Sequence, residues 1–417
     1  MTNEREQRGA LIAATCKLVR KGNVWLVPSQ SRKGKYTVCP DKETPHCTCA
    51  DHETRACECK HIYAVRFVIQ RELFDDGTIQ ETATVTVAHT VRKTYKQDWP
   101  AYNAAQKCEK QRFQVMLHDL CQSIPEPPAN PQGGRPSVPI RDAIFSACFK
   151  VYSTVSGRRF TTDLQAALDS GHIGRAPSYN TLFRVFESPE TFDILRALVT
   201  VSASPLKAIE SNFACDSSGF TGCRYDRWIE HKYGSPMKKV LRTWVKTHVM
   251  VGVKTNIVTA VEIFDKDAND GVQLPKLLNT TTKQFTVKEL SADLAYSFEK
   301  NLWAVDAVGA APLIPFKSNA SPAKGGLWAK MFHYFQIHRE EFLSRYHQRS
   351  NVESTFSMIK RKFGDSVRSK TDVAMKNEVL AKLVCHNICC VNQEAFELGI
   401  DPGFGAETPV ASIPTAG

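Results

Sequence analysis

"YHQRSNVESTFSMIKRKFG", residues 346–364, decides how the rest of the chain is read. It holds no Pro, and no Gly before Gly364, so it predicts one helix that stops where a C-terminal glycine usually sits. At about 100° per residue, Tyr346, Arg349, Glu353 and Lys360 share one narrow wedge. Val352, Phe356, Ile359 and Phe363 gather on the neighbouring flank, which is the buried side. The helix therefore holds an acid among cations at the rim of its apolar face.

Strand-like stretches precede it. "NFACDSSGF" begins a strand that ends at Asp216 and enters a Ser-Ser-Gly turn. "KTHVMVGVKTNIVTAVEIF" reads as two strands around a tight Lys-Thr-Asn turn, "FTVKELSAD" as a fourth strand ending at Asp293, and "APLIPF" as a fifth. Between the last two, "AYSFEKNLWAV" reads as a helix carrying Trp303. Asp216, Asp293 and Glu353 thus form a candidate acid triad. Hard carboxylate oxygens suit Mg²⁺ (or Mn²⁺), and two such ions about 4 Å apart serve phosphoryl transfer. Asp226, Asp265, Asp267, Asp270 and Asp306 are competing acids on spacing alone.

The helix also matches Tyr-x2-Arg-x3-Glu-x6-Lys at every spacing, through Tyr346, Arg349, Glu353 and Lys360. In this it resembles the bacterial insertion-sequence transposases with a DDE active site on an RNase H-like fold. "SADLAYS" resembles their second-acid motif, and the likeness spans roughly residues 140 to 395. The resemblance implies that Asp216, Asp293 and Glu353 are the catalytic metal ligands, and that Tyr346, Arg349 and Lys360 hold phosphates at the element's end. It implies hydrolysis of a phosphodiester, then attack of the freed 3′-hydroxyl on target DNA, without a covalent protein intermediate. A homodimer on paired ends is implied as well. Two rival functions stay open, a catalytically idle DNA-binding regulator and an RNase H-like nuclease without strand transfer.

A second motif stands apart. In "HCTCADHETRACECKHIYAV", Cys47-x-Cys49, nine residues and then Cys59-x-His61 supply four ligands of the kind one tetrahedral Zn²⁺ takes. Cys57, Cys39, His46 and His52 are spare ligands nearby. With two strands before it and a helix after it, the stretch resembles a SWIM zinc finger over roughly residues 20 to 70.

Composition agrees with a nucleic-acid partner. The chain of 417 residues carries a net charge of +11, and its pI is about 9.0. No stretch is apolar enough for a membrane span or a signal peptide, so a cytoplasmic, nucleoid-associated protein is expected. Arg361, Lys362 and the basic "RSK" at 368–370 and "RKTYKQDW" at 92–99 are candidate phosphate contacts. Trp303 could stack on an unpaired base, although a helical aromatic is more often buried. Fourteen cysteines include a later group, Cys148, Cys385, Cys389 and Cys390, in apolar helical stretches that suit core packing.

The expected architecture is α/β. A SWIM-like zinc-finger domain covers 1–75, a helical connector 76–123, and a Pro/Gly-rich linker 124–139. A helical DNA-binding segment covers 140–208, an RNase H-like catalytic domain 209–395, and a loose tail 396–417.

Overall fold

A computed structural model describes residues 4–30, 34–40, 44–55, 57–73, 98–127, 137–222, 244–264, 270–317 and 319–404. Residues 76–97 of the expected 76–123 connector, which include 92–97 of the basic stretch, and Asp226, Asp265 and Asp267 lie outside them. The chain divides into two compact units, Met1–Lys96 and Gln97–Gly417.

In the first unit, β1 (Val19–Lys21), β2 (Val24–Pro28), β3 (Lys35–Cys39) and β4 (His46–Cys47) form an antiparallel meander. The two strands read from "NVWLV" and "GKYTV" are β2 and β3, paired Trp25↔Val38 through Pro28↔Lys35. Helices α1 (Glu4–Thr15), α2 (Ala50–Arg55) and α3 (Lys60–Leu73) complete the unit. Gly9 lets α1 approach α3 closely, since a Cβ there would lie 2.5 Å from the Tyr63 Cβ. The core is small: Ile12, Val27, Val38, Ile62 and Val65 are fully buried around the cysteines.

The second unit begins with α4 (Trp99–Gln122), α5 (Ile140–Ser153), α6 (Phe160–Asp169), α7 (Tyr179–Glu187) and α8 (Pro189–Ser202). Then come β5 (Asn212–Thr221), β6 (Trp244–Gly252), β7 (Val258–Phe264), α9 (Leu274–Thr282), β8 (Glu289–Ala292), α10 (Glu299–Ala307) and β9 (Ala311–Leu313). It closes with α11 (Gly326–Ile337), α12 (Arg339–Tyr346), α13 (Ser350–Phe363) and α14 (Asp372–Glu397). The sheet order is β7-β6-β5-β8-β9, with β5, β6 and β7 antiparallel and β8 and β9 parallel to β5.

Four expectations change. The strand of Asp216 does not turn at Ser-Ser-Gly; β5 runs on to Thr221 because β6 pairs with it throughout, Ser217↔His248 and Gly219↔Lys246 included. Gly219 is there because the Trp244 ring crosses its face, and a Cβ would sit 1.7 Å from that ring. The stretch 346–364 is not one unbroken α-helix: α12 ends at Tyr346, a 3₁₀ turn spans His347–Arg349, and α13 follows to a left-handed Gly364 at φ +88°. The Pro/Gly-rich stretch joins two helices of one unit rather than two domains, and Glu126 draws its ends together by accepting from the Ile140 and Arg141 amides. Finally, the chain after Glu397 is packed up to Phe404, whose amide donates to Asp119 at 2.9 Å. Residues 405–417 lie outside the described residues.

The expected Lys-Thr-Asn turn is present. Asn256 takes φ +62°, and buried Glu210 accepts from the Lys254 and Thr255 amides. Helix α14 is buried along most of its length in a core shared by α4, α5, α7, α8 and the sheet. Asn387 fixes its register by accepting from the Val258 amide and donating to the Val199 carbonyl. The helices at 140–208 thus share one core with the sheet.

Candidate active site and metal centre

Register places the first two acids side by side. Parallel pairing of β5 with β8 ends at Cys215↔Ala292, so Asp216 and Asp293 are the next residues on neighbouring chains. Asp216 stays on β5, whereas Asp293 leaves β8 and caps a 3₁₀ turn by accepting from the Ala295 amide at 2.9 Å. Tyr296 anchors that turn beneath the sheet, fully buried and 3.3 Å from His248 Nδ1.

Glu353 arrives from α13, and Arg349 joins it to the sheet. The Arg349 guanidinium donates to Asp216 Oδ2 at 2.8 Å and to Glu353 Oε1 at 2.5 Å. Asp216 and Arg349 are each 18% exposed at the side chain, while Glu353 is 61% exposed. Burial pushes the Asp216 carboxyl up; the Ser217 amide and Arg349 oppose the shift, and nearby Asp293 adds to it. Burial pulls on the Arg349 guanidinium, but Asp216, Tyr346 and Glu353 together hold it above its ordinary value. The three carboxylates do not close to within 4.8 Å of one another, and a cation already bridges two of them.

An open cleft of about 550 Å³ lies over this arrangement, lined by Asp216, Ser218, Glu353, Lys360, Arg361 and Asp365 among others. Lys360 reaches across to Ser218 Oγ at 2.6 Å, between the Phe220 and Phe356 rings, and burial lowers its pKa. Arg361 is exposed in the cleft and has no hydrogen-bond or ion-pair partner among the described residues. Tyr346 is half-buried, stacked on Phe342, with its hydroxyl pKa raised by burial.

One candidate DNA contact fails locally. Lys362 does not face the cleft: its ammonium donates to Glu109 Oε1 at 2.6 Å, beside the Tyr152 hydroxyl on the same oxygen. That charge is committed to a nearly buried carboxylate on α4, so it is withdrawn from DNA contact. Trp303 is not packed under the sheet; it is 49% exposed, its ring beside Gly326. Ser218, read as a turn residue, becomes the anchor of Lys360. No local signal marks that role, because the pairing that presents Ser218 comes from β6.

In the first unit, Cys47, Cys49, Cys59 and His61 are all buried, with their ligand atoms within 4.8 Å of one another. Cys47 ends β4, Cys49 precedes α2, Cys59 precedes α3, and His61 sits in its first turn. His61 Nδ1 faces the Cys47 and Cys59 sulfurs at 3.8 and 3.7 Å. Hydrogen bonding to Cys47 holds the Cys59 thiol well below its ordinary value, so it supplies a ready thiolate. The spare ligands stay apart: Cys57 uses its carbonyl to accept from His52 Nδ1 at 2.7 Å.

One acid on the mixed sheet, one just past the neighbouring strand and one on a following helix form the candidate triad. Residues 208–388 match the family model described as a transposase DDE domain. A protein from Archaeoglobus fulgidus named "Probable transposase for insertion sequence element ISA1214" is 23% identical over 312 residues, 73% of this chain and 92% of that one. No solved structure matches the chain. Among the described residues, no helix is long and apolar enough to cross a membrane.

Proposed function

We propose that the protein is an insertion-element transposase that cuts DNA at the element's ends and joins them to a target, using an RNase H-like domain. The observation that carries this reading is the Arg349 guanidinium bridging Asp216 and Glu353 beside Asp293. It marks a site whose acids concentrate enough negative charge to call for a cation. The donors are hard oxygens and suit Mg²⁺ or Mn²⁺. Asp216, Asp293 and Glu353 would hold two such ions, which when bound supply the charge that activates an attacking oxygen and stabilises a leaving one. The protein's own part is positional. Arg349 keeps Asp216 and Glu353 from repelling each other, and it is long enough to turn a planar fork toward a phosphate instead. Lys360 and Arg361 present charge along the cleft, Tyr346 lies beside Arg349, and half-exposed Trp303 offers a stacking surface. An idle DNA-binding descendant is the rival reading, but it would be expected to lack an acid, and all three are present.

The buried thiols and imidazole are soft donors that suit one structural Zn²⁺, with His61 Nδ1 as its nitrogen ligand. Double-stranded DNA and a second copy of the chain are the proposed partners, with the nucleoid as the proposed location. The test is nucleotide-resolution mapping of breaks in duplexes from the flanks of the gene, with Mg²⁺ or Mn²⁺. Wild type is expected to cut at one position, while Glu353→Gln and Asp216→Asn bind equally and cut at least 10³-fold more slowly. Binding without cutting by the wild type would leave only the regulator.

A further inference from the structure

A second cavity, of about 470 Å³, opens in the same unit among α5, α7, α14 and the chain between α13 and α14. Its floor is apolar: Val151, Leu182, Phe186 and Phe363 are all buried. Phe183 stands at its edge, 49% exposed. Gly157 allows that ring to lie against the backbone, since a Cβ would come within 3.1 Å of its Cζ. Tyr179 packs edge-on to Phe183, with the Arg158 guanidinium over its ring. An aromatic ledge therefore borders an apolar pit.

The cations lining the pit differ in what they are committed to. Lys382 is spent on the Gly364 and Ser366 carbonyls, and Arg368 reaches the Val155 carbonyl. The acid Glu378 is saturated by the Arg368 and Ser369 amides, and Glu187 is the other acid on the wall. Lys150 makes no hydrogen bond among the described residues but feels Glu378 and Arg368 electrostatically, and Lys370 stands exposed at the rim. Lys150 is partly buried; burial and Arg368 lower its pKa, and Glu378 opposes them. A partly buried ammonium beside an apolar pit, with a second ammonium at the rim, offers charge to an anion that arrives with its own apolar body.

We propose that this cavity binds a nucleoside monophosphate unit, the base seated on Phe183 and Phe186 and the phosphate on Lys150 and Lys370. The choice of a nucleotide over another aromatic anion rests on the DNA reading of the acid cleft, with which the cavity shares one short segment. Asp365 lines the cleft and Ser366 the cavity, and this segment is tied to the end of β5 at Thr221. The unit could be a free nucleotide or an unpaired nucleotide of bound DNA; both present the same base and phosphate.

The experiment titrates the full chain, in EDTA so that the acid cleft holds no metal, with deoxyadenosine monophosphate, deoxyadenosine, N-acetylphenylalanine and a short single-stranded oligonucleotide. Wild type should bind the monophosphate saturably and more tightly than deoxyadenosine. Lys150→Met should weaken it at least tenfold, and so should Phe183→Ala; Lys150→Met should melt no lower than wild type, and the half-exposed Phe183 leaves Phe183→Ala folded. Glu353→Gln should bind it unchanged. If the oligonucleotide shows the same dependence on Lys150, the source is DNA; if only the monomer does, it is a free nucleotide. Equal binding of N-acetylphenylalanine would overturn the proposal in favour of a peptide. No saturable binding would overturn it too, as would binding that falls on Arg361→Ala but not on Lys150→Met. None of these readouts involves cleavage, so failure here and failure of the transposase reading are separately visible.

Discussion

The two clusters of ligand-type residues are built on opposite plans. In the first unit three thiols and an imidazole are buried and already gathered within 4.8 Å, in a core with few other side chains to hold it. In the second, three carboxylates sit at the edge of a large core that is complete without them. They are kept apart, with Arg349 between two. A metal that holds a fold together belongs inside it, where closing the ligand shell replaces missing apolar burial. A metal that does chemistry belongs at an open edge, where it can exchange and meet substrate. Arg349 lets the three acids pack in the absence of any ion.

The largest effect should come from the first plan. Cys59→Ser should empty the Zn²⁺ site and remove a metal-linked folding free energy on the order of 10 kcal/mol. Metal analysis should fall from one zinc per chain to none, and amide-exchange protection of α3 should collapse while α14 stays protected. Retained protection in α3 would show a core that stands without metal and break the comparison.

Next is the Lys362–Glu109 pair inside the second unit, of which only the acid is nearly buried. Lys362→Met leaves the Glu109 carboxylate, 10% exposed at its side chain, with only Tyr152. The expected loss is about 3 kcal/mol in urea denaturation, mostly recovered in the double variant with Glu109→Gln. A loss under 1 kcal/mol would mean that α4 and α13 are not held together by charge.

Arg349→Ala probes the stand-in cation. Without divalent ions it should cost about 1–2 kcal/mol, because Asp216 and Glu353 lose a shared charge-assisted donor. Adding Mg²⁺ should then raise the melting temperature more in the variant than in wild type. An equal rise in both would mean that guanidinium and metal do not share the same gap.

The smallest effect concerns an acid outside both sites. Burial, followed by Glu397 and Glu210, lifts the Glu394 carboxyl from 4.5 to about 7. A raised acid contributes its stability in full below the ordinary value and loses it as pH rises through about 7. Glu394→Gln should therefore match wild type at pH 4 and be about 1 kcal/mol more stable at pH 8, partial exposure screening the rest. No gain at pH 8 would place Glu394 in water.

These contrasts show what was legible in the chain. The soft site was readable because its ligands lie within fifteen residues, Cys47 to His61, and spacing alone nearly specifies it. The helix signature was readable for a similar reason, since Arg349 and Glu353 are one turn apart. The link from Arg349 to Asp216 spans 133 positions, and Lys362 to Glu109 spans 253, so no local pattern announces either. The same holds for β5, where Ser-Ser-Gly has the composition of a turn but pairs with a strand that begins more than twenty residues later. Lys362 shows the limit most sharply: a basic run looks like a DNA face until a distant acid claims one member.

Helix α14 has a consequence for how the protein is made. It is the last described helix, and it supplies the inner wall for α4, α5, α7 and α8, pinned through Asn377, Lys382 and Asn387. A ribosome delivers all three acids before it delivers that wall. Until residues up to Glu397 have emerged, the earlier helices have no surface to close on. A product cut short between Glu353 and α14 would carry all three acids without the helix that packs behind them. On the proposed function, late delivery of α14 would keep a partial chain from closing its acid site.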